Sequence, residues 1–167
     1  MITVPVAVNL SIKQFMSTNI VDKVSKILCD TGLEPHFLEL EITESVLMKE
    51  VNLINDTLEQ LNKLGVRISI DDFGTEYSSL NYLKQLPIDR IKIAMTFIQG
   101  ITVNHKDEAI IKAIMALADN LEIDTLAEGV ETLSQLEFLK NVKCNVIQGF
   151  YFYKPMTAGK IEELFHK

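Results

Sequence analysis

The segment LELEIT at residues 38–43 alternates apolar side chains with acidic or hydroxyl-bearing ones, and the segment RISID at residues 67–71 repeats this alternation. Because successive side chains of a β-strand point to opposite faces, both segments predict strands with one apolar and one polar face. An open parallel sheet covered by helices on both sides would be apolar on both faces. A β/α barrel explains the pattern, because its apolar face packs against the outer helices and its polar face lines the interior.

Strand-like segments alternate along the chain with segments of helical periodicity, which predicts a parallel sheet. The predicted strands cover residues 4–10, 37–43, 66–71, 90–94, 124–128 and 145–148. The predicted helices cover residues 19–31, 52–64, 107–121, 133–141 and 158–165, with a shorter one at 78–84 that ends before Pro87. Gly32 and Gly65 follow two of these helices, where a helix C-terminus favours a left-handed residue.

The predicted strands are fewer than a complete barrel requires, because a TIM-like barrel has eight strands and spans ~250 residues. We therefore predict a single domain, residues 1–167, that forms an incomplete TIM-like (β/α) barrel and lacks its N-terminal part. Two missing strands would leave unpaired, apolar sheet edges, which favours a homodimer or another form of self-association.

The composition narrows the range of partners. Hydrophobic residues make up 47% of the chain, and the net charge of −7 argues against DNA, RNA or an anionic membrane as the main partner. An acidic site can still bind a phosphate ligand when divalent cations lie between the two. The chain has no apolar run of membrane-spanning length and no leader-like N-terminus. We expect a cytoplasmic domain, although a longer parent protein could be membrane-anchored.

The two cysteines are Cys29 and Cys144, and they lie far apart in the sequence. Such sparse use fits a reducing compartment, and neither residue belongs to a cluster with metal-ligand spacing. Both are interpreted as small apolar residues that fill the core.

The predicted barrel places polar residues at the C-terminal ends of its strands, where barrel enzymes have their active sites. These residues are Asn9, Glu41, Asp71, Asp72, Lys92, Glu128 and Gln148. Carboxylates that are brought together repel one another and lose hydration, and a hard divalent cation such as Mg²⁺ or Mn²⁺ offsets both costs. The adjacent Asp71 and Asp72 could each face a different ion, and two ions would clamp the oxygens of a phosphodiester. Lys92 would hold a water or a phosphate oxygen, and Glu128 would accept a proton from that water.

Less specific interpretations of these residues stay open. A single carboxylate at a strand end is usually a solvated residue or a salt-bridge partner. Glu39 and Arg67 lie deeper in the predicted interior and are interpreted as an ion pair. Neutralisation by ion pairs is the main alternative for the strand-end acids, but Lys92 is the only cation predicted at their level.

Five segments together resemble the EAL domain, the cyclic di-GMP phosphodiesterase family of bacterial signalling. They are VNLS at 8–11, LELEITES at 38–45, IDDFGTEYSSLNYLKQLPIDRIKI at 70–93, LAEGVET at 126–132 and QGFYFYKP at 148–155. The resemblance implies hydrolysis of one phosphodiester bond of cyclic di-GMP, which gives linear pGpG. It also implies a two-metal site with Mg²⁺ or Mn²⁺, one antiparallel strand in the barrel, and a possible upstream sensor or diguanylate cyclase-type domain.

The resemblance also implies a role for each matching residue. Asn9, Glu41 and Asp71 would bind the first metal ion, and Asp71 with Asp72 would bind the second. Lys92 would orient the attacking water and Glu128 would be the general base. The remaining matches are Glu131 as an aid at the second metal, Gln148 and Pro155 on the substrate side, and Glu44 as a residue that positions the loop from Asp72 to Ser79.

The sequence departs from the family pattern in several places. The Glu-Ala-Leu segment with its metal-binding glutamate is absent, and Ala94 replaces a usual aspartate two residues after Lys92. Glu76 replaces a usual glycine, which would strain a backbone of positive φ, and Tyr153 replaces a usually small residue near the guanine site. The first two changes predict weak or absent hydrolysis. A non-catalytic cyclic di-GMP receptor or protein-interaction module is the alternative, and an unrelated metal-dependent barrel enzyme is a third.

Overall fold

The computed structural model describes residues 4–17, 19–47, 51–75 and 83–165. Six strands in these ranges form one parallel sheet in which each strand pairs with the next one along the chain. The strands are β1 (Val6–Asn9), β2 (Leu38–Thr43), β3 (Arg67–Phe73), β4 (Arg90–Ile93), β5 (Asp124–Ala127) and β6 (Val146–Ile147). This arrangement confirms the prediction of an incomplete TIM-like β/α barrel.

Helices lie between successive strands of the sheet, and a last helix follows β6. They are α1 (Ile12–Phe15), α2 (Ile20–Thr31), α3 (Glu44–Leu47), α4 (Val51–Lys63), α5 (Met95–Gln99), α6 (His105–Asn120), α7 (Leu133–Asn141) and α8 (Ala158–Phe165), with a 3₁₀ turn at Pro35–Phe37. All five longer predicted helices are present within two residues of their expected ends. The short helices α1, α3 and α5 were not predicted, because one turn is too short to show a helical period.

Alternation of side chains along the strands places apolar residues on one face of the sheet and polar residues on the other, as the sequence pattern predicts. The apolar face of the central strands is buried, and its members are Leu40, Ile42, Ile68, Ile70, Ile91 and Ile93. The opposite face carries Glu41, Asp71 and Lys92 on three adjacent strands. On β1 the expectation fails, because Val6 and Val8 are exposed at the edge of the described sheet.

Two other expectations about the fold need correction. All the pairings among the six described strands are parallel, so the antiparallel strand that the family resemblance implied does not occur among them. Cys144 is buried as predicted, but Cys29 is exposed, because it lies on the solvent side of α2. No helix in the described ranges is both long and apolar enough to cross a bilayer.

Two glycines predicted to follow helices have the positive φ values that glycine adopts most easily. Gly32 ends α2 in the left-handed region at φ 69°, and Gly65 has φ 88° just after α4. Glu76 lies outside the described residues, and so does most of the helix predicted at 78–84.

Candidate metal centre and active site

Lys92 lies at the centre of a carboxylate cluster on the polar side of the sheet. Its Nζ is 2.7 Å from Glu41 Oε1, 2.9 Å from Asp71 Oδ1 and 2.8 Å from Glu128 Oε1. Lys92 and Glu41 are buried, and Asp71 and Glu128 are half-buried. The four side chains come from β2, β3, β4 and the residue that follows β5, so the cluster depends on the parallel register of the sheet.

The strand register explains why these residues meet. Thr43 on β2 lies opposite Asp71 on β3, so Glu41 lies two residues below that level. Lys92 pairs with Leu126, and Glu128 follows Leu126 by two residues on the same face. The long lysine stem therefore reaches upward between neighbouring strands to carboxylates that no local segment could bring together.

Charge and burial act in opposite directions on the pKa of Lys92. Burial would lower it, but the close contacts with the carboxylates of Glu128, Glu41 and Asp71 outweigh burial, so the pKa lies above its usual range. The ammonium is therefore charged at every pH at which the protein would work.

The pKa of Glu128 is also raised, first because the carboxyl group is buried and then because Asp71 and Asp72 place negative charge beside it. The hydrogen bond and the charge of Lys92 oppose this rise. A carboxylate with a raised pKa is a stronger proton acceptor than an ordinary glutamate.

Asp72 joins the cluster because the backbone turns at this residue. Asp72 has φ 53°, an unusual value for a residue other than glycine, and the β3–β4 register shifts between Ile70 and Phe73. In a regular strand, Asp71 and Asp72 would point to opposite faces. Here one oxygen from each of Asp71, Asp72 and Glu128 lies within 4.8 Å of the others.

These oxygens fit a divalent cation. Asp71 Oδ1 is buried and accepts no well-directed hydrogen bond, although Lys92 Nζ lies 2.9 Å away. The group offers only carboxylate oxygens, which Mg²⁺ and Mn²⁺ prefer, and its acids outnumber the single ammonium. Asp71 and Asp72 would hold such an ion, with Glu41 adjacent, and the Glu128 carboxylate borders the same site.

The other predicted metal ligands lie near the cluster without contacting it. Asn9 pairs in register with Glu41 on the neighbouring strand, but its side chain is exposed and makes no hydrogen bond within the described residues. Glu131 is exposed, and its backbone N–H donates to Gln135 Oε1 at 2.8 Å. Thr132 N–H donates to the same oxygen at 3.0 Å, so Gln135 anchors the segment that follows Glu128.

A cavity of ≈ 810 Å³ opens beside the cluster. Asp72, Glu128 and Glu131 line one side of it, and the predicted substrate-side residues Gln148 and Pro155 line another. Tyr153, the bulky replacement, also lies on its wall. The sequence did not predict the apolar wall, which comes from Met95 on α5 and from the end of α8, because no motif indicates where these two helices pack.

Glu44 contacts the loop that it was predicted to position. Its carboxylate is buried, and Glu44 Oε2 accepts a hydrogen bond from Gly74 N–H at 3.0 Å. Gly74 has φ 94° and directly follows β3, so the contact lies two residues from Asp72. The part of this loop at 76–82 lies outside the described residues.

The predicted ion pair between Glu39 and Arg67 is wrong. Glu39 Oε2 instead accepts from Arg90 Nη1 at 2.6 Å, although Glu39 and Arg67 are register partners on adjacent strands. Arg90 also lies 3.7 Å from Asp124 Oδ2. This second ion-pair layer lies two residues below the Glu41–Lys92 layer on both β2 and β4.

A family model described as the EAL domain matches residues 2–155. The chain belongs to the EAL domain family. It is 44% identical over 158 residues to the cyclic di-GMP phosphodiesterase NbdA of Pseudomonas aeruginosa, a match that covers 95% of this chain and 20% of NbdA. It is 47% identical over 156 residues to the bifunctional diguanylate cyclase/cyclic di-GMP phosphodiesterase MucR of the same organism, with 93% and 23% coverage. The chain thus spans about a fifth of the length of these curated relatives.

Solved EAL structures have the same fold. The PaMucR phosphodiesterase in complex with c-di-GMP superimposes with a TM-score of 0.91 at 47% identity, covering 94% of this chain and 64% of that one. The Klebsiella pneumoniae BlrP1 complex with manganese and cy-diGMP gives a TM-score of 0.81 at 29% identity, covering 88% and 38%. The BlrP1 structure thus holds a divalent metal together with this ligand.

Proposed function

We propose that this EAL domain binds cyclic di-GMP and hydrolyses one of its phosphodiester bonds to give linear pGpG. The observation that carries the proposal is the convergence of Asp71, Asp72 and Glu128 oxygens beside the ≈ 810 Å³ cavity. An acidic rim next to a ligand-sized cavity suits a phosphate ligand when divalent cations lie between the two. NbdA and MucR, which carry this activity in their names, support the assignment.

The residue roles follow from position and charge. The oxygens of Asp71, Asp72 and Glu41 would hold Mg²⁺ or Mn²⁺, with Asn9 and Glu131 at the periphery. A bound divalent cation would lower the pKa of a coordinated water and stabilise charge on the phosphodiester. Glu128, with its raised pKa, would accept the proton of the water, and Lys92 would hold that water in place. Gln148 and Pro155 would contact the ligand in the cavity.

We expect the hydrolysis to be weak. Ala94 is buried directly after β4, and the carboxylate that the family pattern places there is missing. A divalent site that loses a nearby acid binds its ion less tightly.

The test is incubation of the chain with cyclic di-GMP and Mg²⁺ or Mn²⁺, followed by chromatography for pGpG. Slow turnover that Glu128→Gln abolishes is the expected result, and Ala94→Asp should raise the rate. Fast turnover by the unmodified chain would contradict the predicted weakness. If no variant hydrolyses or binds cyclic di-GMP, the proposed function is wrong.

A non-catalytic cyclic di-GMP receptor is the second candidate, because Ala94 lacks a carboxylate and Lys92 contacts Glu41 and Asp71, two of the acids that a metal ion would need. Isothermal titration separates the candidates. Binding of cyclic di-GMP without pGpG formation indicates a receptor, and absence of binding indicates a protein-interaction module.

We also propose that the domain self-associates through β1 and works in the cytoplasm, joined to an upstream sensor or diguanylate cyclase-type domain. Among the described strands, β1 pairs only with β2, and its Val6 and Val8 are exposed. MucR, whose name combines the cyclase and phosphodiesterase activities, supports the domain partner.

A further inference from the structure

The cation that contacts the carboxylate cluster in this structure is the protein's own Lys92. An ammonium group has three N–H donors, and Lys92 Nζ meets three carboxylate oxygens, one each from Glu41, Asp71 and Glu128. Lys92 is the only buried lysine in the part of the chain that the structure describes. All three of its ion-pair contacts are therefore made with carboxylates of the candidate metal centre and active site.

The ammonium and a divalent ion need the same carboxylate groups. Asp71 and Glu128 each belong both to the Lys92 ion pairs and to the cluster with Asp72 whose oxygens lie within 4.8 Å. An ion bound to these carboxylates at ~2.1 Å would repel the Lys92 ammonium, whose Nζ lies 2.7–2.9 Å from their oxygens. Lysine has a flexible four-carbon stem, so its charge can withdraw while its backbone stays in β4.

We infer that Lys92 is a built-in stand-in for the divalent cation, which neutralises Glu41, Asp71 and Glu128 before metal binds and competes with metal for them afterwards. The inference rests on the proposed metal-dependent function. It assigns Lys92 two opposite effects: Lys92 stabilises the metal-free fold and weakens metal binding. Because two ligands of one site affect each other reciprocally, each metal ion that binds weakens the Lys92 contacts as much as Lys92 weakens the metal.

The ion pair one layer below provides a matched control. Arg90 is also a largely buried cation on β4, and it contacts Glu39 at 2.6 Å rather than the acids of the cluster. Loss of Arg90 leaves a buried carboxylate unpaired, as loss of Lys92 does, but the oxygens that would bind metal are unaffected. Arg90→Met should therefore lower the melting temperature equally with and without metal.

The experiment measures Mn²⁺ affinity by the electron paramagnetic resonance signal of free Mn²⁺, together with melting temperature with and without Mn²⁺. We expect Lys92→Met to bind Mn²⁺ more tightly than the wild-type chain by on the order of tenfold, within the usual range for coupled ligands. Its melting temperature should fall below that of the wild type without metal and recover at saturating Mn²⁺, unlike that of Arg90→Met.

The outcomes are distinguishable. Wild-type chain that binds Mn²⁺, with equal or weaker binding by Lys92→Met, overturns this inference and leaves the proposed function intact. Absence of Mn²⁺ binding by every variant overturns both. If Lys92→Met does not fold, wild-type chain with ¹⁵N-labelled lysine decides: the slowly exchanging Lys92 ammonium signal should shift or broaden as diamagnetic Mg²⁺ is added, and an unchanged signal at saturation contradicts the inference.

Discussion

At the scale of single residues, the interior of this EAL domain is organised by two cations in two layers. Lys92 is shared by three carboxylates at the rim, and Arg90 is paired with Glu39 below them. The choice of Arg90 over Arg67 decides how the lower layer is neutralised. In the part of the chain that the structure describes, Arg67 forms no ion pair within 4.0 Å, although it is the register partner of Glu39.

Substitution of Arg90 by Met should destabilise the fold by about 3–5 kcal/mol, because removal of one partner leaves the buried charge of Glu39 uncompensated. Arg67→Met, on the adjacent strand in the same layer, should cost much less, since no ion pair is lost. Urea denaturation of both variants measures the difference. Equal destabilisation would show that lost packing of the arginine stem, not lost charge, explains the effect.

The two cysteines should differ in reactivity. Cys144 is 1% exposed and burial raises the pKa of its thiol, so its thiolate is scarcer at a given pH than that of an ordinary cysteine. We expect iodoacetamide at pH 8 to label the exposed Cys29 within minutes and to label Cys144 only after unfolding in urea. Peptide mass spectrometry reads both sites, and rapid labelling of Cys144 in the native chain would contradict its burial.

At the scale of elements, the loop between β5 and α7 is held by the cap of a helix. Gln135 Oε1 accepts from both Glu131 N–H and Thr132 N–H, and Thr132 Oγ1 accepts from Gln135 N–H at 3.3 Å. This capping box begins α7 and at the same time fixes the segment that follows Glu128. Sequence periodicity located α7 at 133–141, but only the structure connects its cap to the site.

Gln135→Ala should therefore destabilise the domain by about 1–3 kcal/mol, because Gln135 is largely buried and two backbone donors lose their acceptor. Gln14→Ala is the matched control, since the same capping box at the exposed α1 should cost less. Thermal unfolding gives both values, and hydrogen exchange at residues 128–132 should accelerate only in Gln135→Ala. Unchanged hydrogen exchange at residues 128–132 would show that the capping box does not hold the segment that follows Glu128.

At the scale of the whole molecule, the described sheet has two edge strands, β1 and β6, and β1 carries exposed apolar side chains. Interior strands β2 to β5 are paired on both sides, whereas β1 presents one unpaired edge within the described residues, with Val6 51% and Val8 45% exposed. An exposed edge with apolar side chains favours pairing with another chain. This feature carries the proposal of self-association.

Light scattering of the Val6→Lys and Val8→Lys double variant tests that proposal. We expect the wild-type chain to have a mass above that of the 18.9 kDa monomer and the double variant to shift toward the monomer, because charged residues on an edge strand oppose pairing. Ile27→Lys, at an exposed apolar position on α2, should leave the mass unchanged. A wild-type monomer at all concentrations would contradict self-association through β1.

The sequence by itself determined the order of strands and helices, the polar and apolar faces of the sheet and the family, because periodicity and motif spacing are local properties of the chain. It also identified the residues that meet at the rim, since the C-terminal ends of parallel strands share one edge. Only the tertiary structure decided which charges pair. The backbone turn at Asp72, the choice of Arg90 for Glu39 and the exposure of Cys29 depend on register shifts and on packing between distant segments. A pairing between side chains on neighbouring strands is set by strand register and side-chain reach, and neither is encoded in any single segment of the sequence.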